Sequence, residues 1–104
     1  MPTETLAGHT VELDSDGFMT DSAAWNKEIA VELAKRSGIE LNDRHWAVIE
    51  FCRSDAQAKG EAPGVRRITK NTDVSMREMY KLFPKGPGKL AALVSGLAKP
   101  KGCI

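Results

Sequence analysis

The stretch that most constrains this chain is "NDRHWAVIEFCRSDAQAKGEAP", residues 42–63. Asn42 is a helix-capping residue type, and Gly60 with Pro63 stops whatever begins there. Between them neither Gly nor Pro interrupts the run, and Trp46, Val48, Ile49 and Cys52 supply apolar positions. The pattern predicts a helix over 43–59. Beyond Pro63 the punctuation is dense and the pieces are shorter. "GVRRITKNT" reads as a helix with Val65 and Ile68 inward. Asp73 or Ser75 caps "SMREMYKLF", with Met76, Met79, Tyr80 and Phe83 on one side. Pro84 ends that piece, "PKGPGK" is a loop, and "GKLAALVSGL" is a last helical segment. Lys99-Pro100-Lys101-Gly102 cannot continue it.

Upstream, residues 10–20, "TVELDSDGFMT", read as a hairpin. Val11 and Leu13 alternate with polar residues, Asp16-Gly17 turns, and Phe18 and Met19 return. Asp21 or Ser22 then caps a helix with apolar Trp25, Ile29, Val31, Leu33 and Ala34, closed by Arg36 and Gly38. The expected architecture is mainly α: a compact orthogonal helical bundle with an N-terminal β-hairpin, a helix-turn-helix-like element and a flexible C-terminal arm. Residues 1–98 form the domain and 99–104 the arm.

A chain of 104 residues fits one domain. Its longest uncharged apolar stretch, "LAALVSGLA", is far below the ~20 residues of a membrane span. "MPTETLAGHTVELD" has neither the basic start nor the apolar core of a secretory signal. Two cysteines without such a signal point to the cytoplasm, where thiols stay reduced. Charge is unevenly placed. Residues 1–63 hold 6 Lys/Arg against 12 Asp/Glu, and residues 64–104 hold 9 against 2. The C-terminal part is therefore either a surface for anionic partners or a solvated face complementing the acidic half.

No P-loop, G-x-G-x-x-G or G-x-S-x-G is present, and no organic cofactor is expected. His9, His45, Cys52 and Cys103 include no close-set pair of metal-ligand spacing, so no metal is expected either. His45 and Cys52 could share a helix face as a nucleophile pair, but Cys52 inside "WAVIEFC" reads better as a small buried apolar residue. "VRRITKNTDVSMREMYKLF" has a helix-turn-helix pattern, with Arg66, Arg67, Lys70, Arg77 and Lys81 available for phosphates. Few Asn, Gln or Ser side chains follow for base readout, so direct nucleic-acid binding is expected to be weak.

Cys103 stands apart. Gly102 precedes it and Pro100 lies three residues before it, giving reach with partial stiffness. Lys99 and Lys101 favour the nucleophilic thiolate, and the terminal carboxylate opposes it. Such a thiol can enter another protein's active site and carry sulfur away. It can equally be an incidental residue of a tail, or the partner of Cys52 in a disulfide.

"HWAVIEFCR", "APGVRRITK", "YKLFPKGPGK" and the terminal "GLAKPKGCI" resemble the DsrC/TusE family, the gamma-subunit family of dissimilatory sulfite reductase. "DSDGFM" and the helix containing Trp25 match in order. The resemblance implies small cytoplasmic helical proteins whose penultimate cysteine, here Cys103, carries sulfur. It maps the family's arginine and lysine onto Arg66 and Lys70. With Lys85, Lys99 and Lys101 these are the expected cations for docking a partner or the arm. Members with two arm cysteines have the second at the position of Ala92, so the chain is similar to the single-cysteine, TusE-like branch. That branch implies a persulfide carrier rather than a stand-alone turnover enzyme. It implies a relay donor of the TusBCD/DsrEFH kind and a downstream acceptor such as a tRNA-modifying enzyme of 2-thiouridine formation. The carrier is expected to be a monomer that dimerises through Cys103 on oxidation. The stretch between Lys70 and Tyr80 is shorter than the family pattern. Two other readings stand beside the carrier: a partner of a sulfite-reductase or sulfur-oxidation system, and a helix-turn-helix regulator.

Overall fold

The computed structural model describes residues 3–100. The expectations resting on Lys101 and Cys103 lie outside them. Within them run β1 (Thr3–Leu6), β2 (His9–Glu12), a 3-10 turn (Ser22–Ala24), then α1 (Lys27–Arg36), α2 (Asp43–Lys59), α3 (Val65–Asn71), α4 (Met76–Leu82) and α5 (Pro87–Val94).

Local chemistry explains the boundaries. Asn42 accepts from the backbone of Arg44 and His45 at the start of α2, and Gly60 closes the helix with φ +82°. Ser75, not Asp73, caps α4 by accepting from the Glu78 amide. Pro87 opens α5, so part of the expected "PKGPGK" loop is helical. A proline is tolerated there because its missing N–H needs no intrahelical partner.

Three expectations need correction. The ladder pairs β1 with β2, Thr3 opposite Glu12 through Leu6 opposite His9, around Ala7-Gly8. Around Asp16-Gly17 there is only one bridge, Leu13 with Met19. There the Asp14 carboxylate accepts from the Asp16 and Phe18 amides and satisfies the backbone locally instead. Next, Asp21 caps only the 3-10 turn, and Asn26 caps α1 by accepting from the Ile29 amide. Trp25 therefore precedes the helix, and Val31 is exposed. Finally, Met76 and Tyr80 are 41% and 50% exposed, while Met79 and Phe83 of the same segment are buried.

α5 lies against α1, α2 and α4, and α3 packs on α4 and α2. Ala91 and Ala92 present small side chains to this crowded centre and are buried. The main core gathers Phe18, Val48, Ile49, Ile68, Met79, Phe83 and Val94. A second cluster of Leu6, Val11, Leu13, Met19, Ile29 and Leu33 fastens the hairpin to α1. The 3-10 turn and the segment after α5 then meet over the C-terminal half of α2, where they bond to Arg53.

Candidate functional site

The described thiol belongs to the core. Cys52 on α2 is 1% exposed. Burial pushes its pKa up to about 12, with the Asp55 carboxylate adding to the rise and the neighbouring Ser95 hydroxyl opposing it. Oγ of Ser95 is itself buried and has no hydrogen-bond partner among the described residues. A thiol so placed stays protonated and inaccessible. His45 is not its base. His45 Nδ1 accepts from the Asn42 amide at 3.1 Å and Nε2 donates to the Leu82 carbonyl at 2.9 Å. Its ring also meets Phe83 edge-on at 5.2 Å. His45 is thus a helix-capping strut between α2 and the end of α4.

The chain leaving α5 is held by two residues whose role the sequence reading missed. Trp25 Nε1 donates to the Val94 carbonyl at 2.9 Å. Arg53 donates to the Ser95 carbonyl at 2.9 Å and to the Ser22 carbonyl at 3.2 Å, and its guanidinium lies 4.2 Å from the centre of the Trp25 ring. Gly96, with φ +70°, passes so close to Trp25 that an added Cβ would overlap the indole. Farther on, Lys99 Nζ reaches Asp16 at 3.0 Å. Nothing local marks the clamp, since Trp25 and Val94 are far apart in sequence. A glycine just past a helix end was its one legible trace.

Next to this exit lies a groove of about 540 Å³. Tyr80, Pro84, Pro87 and Pro100 form its apolar walls, and Lys85, Lys89 and Lys99 are its cations. The fold therefore brings together Lys85 and Lys99 of the expected set. Arg66 and Lys70 are exposed on α3 and line no part of it. Among the phosphate candidates, Arg67 is committed to Asp55 through two bonds of 2.7 and 2.8 Å. On α4, Glu78 is held by Arg44 at 2.7 and 2.8 Å, and the same guanidinium reaches Asp73. These bonds hold the Asp55 and Glu78 carboxyls below their usual ranges, the arginine hydrogen bond being the main cause in each. Among the described residues no group of three or more His, Cys, Asp or Glu could hold a metal ion. No described helix is long and apolar enough to cross a membrane. Ala92 is 1% exposed within α5.

Known proteins share this fold. The family described as "DsrC like protein" matches residues 5–104. The Sulfurtransferase TusE of Pectobacterium atrosepticum is 38% identical over 93% of this chain and 95% of its own length. The crystal structure of dissimilatory sulfite reductase I (DsrI) superposes with a TM-score of 0.89 at 38% identity, covering 99% of this chain and all of that one. The oxidised gamma-subunit of the dissimilatory sulfite reductase (DsrC) from Archaeoglobus fulgidus gives 0.85 at 38% identity, covering 99% of this chain and 100% of that one. On sequence and on fold, the chain belongs to the DsrC-like family.

Proposed function

We propose that the protein is a single-cysteine sulfur carrier that holds persulfide sulfur on Cys103. The supporting observation is the division between its two thiols. Cys52 is withdrawn into the core with its pKa pushed up to about 12, which leaves Cys103 as the thiol for exchange chemistry. The family match runs through Cys103, and the Pectobacterium relative bears a sulfurtransferase name. In the transfer, the Cys103 thiolate attacks the terminal sulfur of a donor persulfide, R–S–SH. The donor S–S bond breaks, a new one forms at Cys103, and the donor leaves as a thiolate with no net redox change. The step needs no metal or organic cofactor.

In this reading residues 1–98 are the docking body and 99–104 the carrying arm, working in the cytoplasm as a monomer. The donor is a relay protein of the TusBCD/DsrEFH kind, and the acceptor is a tRNA-modifying enzyme of 2-thiouridine formation. The names of the solved relatives favour a second reading, a partner of dissimilatory sulfite reductase. Ala92 counts against its two-cysteine form, because an alanine forms no disulfide. Incubation with a persulfide donor, read by intact mass, tests the carrier. It should add one sulfur that a thiol reductant removes. Cys103→Ser should abolish the gain and Cys52→Ser should leave it. A gain retained in Cys103→Ser would defeat the proposal. Reduced 2-thiouridine in tRNA from a host lacking the gene supports the tRNA branch, and unchanged 2-thiouridine removes it.

A further inference from the structure

We propose that the groove between α4 and α5 is the docking site for an acidic protein segment flanking the donor's persulfide. The inference rests on the carrier reading and adds the chemistry of the partner's surface. Three observations converge on it.

The first is the groove's composition. Tyr80, Pro84 and Pro100 give it apolar walls above the buried Pro87, and the two proline walls are conformationally stiff. Tyr80 is half exposed, and Met76, one helical turn before it, is 41% exposed. Together they extend the apolar strip along α4, the kind of surface a partner covers.

The second is charge. Arg36, Arg44, Arg67 and Lys99 are each within ion-pair distance of a carboxylate, whereas Lys85 and Lys89 have no such partner among the described residues. Two exposed, uncompensated lysines beside an apolar groove suit an acidic rim around an apolar contact, the usual anatomy of a transient interface. Membership of the more basic part of the chain reinforces the field they make.

The third is reach. Pro100 lines the groove, and only Lys101 and Gly102 separate it from Cys103. Fully extended, three residues span about 10 Å. Chain connectivity alone therefore limits the Cα of Cys103 to within about 10 Å of the Cα of Pro100, a residue of the groove wall.

The test compares two peptide persulfides of identical length, each with one leucine and one persulfidated cysteine. One is flanked by glutamates and the other by lysines. N-acetylcysteine methyl ester persulfide serves as the uncharged control, and the readout is the rate of single-sulfur gain on Cys103. At low salt the acidic peptide should load about tenfold faster than the basic one, with the difference shrinking as salt rises. Lys85→Glu/Lys89→Glu should erase or invert that preference without altering loading from the uncharged control or the melting temperature. Tyr80→Ser should slow the acidic peptide and leave the control alone. Equal rates for the two peptides would overturn the proposal. So would a preference that survives the double reversal, since the attraction would then lie in Lys99 and Lys101. Failure of the control to load Cys103 would instead strike the carrier reading itself.

Discussion

Three arginines and two lysines of this molecule put positive charge to different uses. Arg44, Arg53 and Arg67 are spent on the protein itself. They fork onto Asp73 and Glu78, onto the Ser22 and Ser95 carbonyls, and onto Asp55. Lys85 and Lys89 stand exposed beside a groove with no carboxylate partner among the described residues. A planar guanidinium with five donors suits fixed bidentate or carbonyl-bridging roles, while an ammonium on a flexible stem suits a reversible encounter. A count of basic residues in the C-terminal part therefore overstates the surface offered to a partner. The geometry separates internal braces from external contacts.

Substitution can break that division, beginning with the clamp. Gly96→Ala combines a left-handed backbone position with an overlap against Trp25 and should destabilise the protein by about 3 kcal/mol in chemical denaturation. An unchanged midpoint would mean that the clamp is loose. Trp25→Phe keeps most of the ring but loses the bond to the Val94 carbonyl, at a cost of about 1 kcal/mol. Arg53→Lys should show a similar loss, because an ammonium cannot bridge the Ser22 and Ser95 carbonyls while stacking on Trp25.

Acid should expose the same division. The Asp55 and Glu78 carboxyls are depressed by their arginines below ordinary values of 3.8 and 4.5. Their stabilisation is complete above those values and is lost as pH falls through the lower folded-state values. The melting temperature should therefore drop on acidification below about pH 4.5, and Asp55→Asn should flatten the drop. An identical pH profile in that variant would assign the acid sensitivity elsewhere. The smallest effect belongs to the lysines. Lys85→Ala and Lys89→Ala should each change stability by less than about 0.5 kcal/mol, and a larger loss would make them structural.

The parts of this molecule that could be read in advance are those whose signals are local. α2 was legible at both ends because Asn42 and Gly60 act within a few residues of themselves. The hairpin was displaced because Asp16-Gly17 is the stronger turn dipeptide, while the actual ladder turns at Ala7-Gly8, with Ala7 at φ +51°. Periodicity groups Met76, Met79, Tyr80 and Phe83 on one side but cannot tell which of them the core covers, and only Met79 and Phe83 are buried. The grouping of Lys85 with Lys99 follows from α5 turning back beside α4, and the Trp25–Arg53 clamp depends on a contact spanning most of the chain.

In the proposed carrier, Cys52 belongs to the core and Cys103 holds the sulfur. The most direct measurement is to load the native protein with persulfide, alkylate briefly with iodoacetamide, and map the peptides by mass. The expected result is a sulfur-bearing adduct on the Cys103 peptide, with Cys52 unlabelled until denaturant is added. Sulfur or label on native Cys52, or a Cys52–Cys103 disulfide in the monomer, would contradict it.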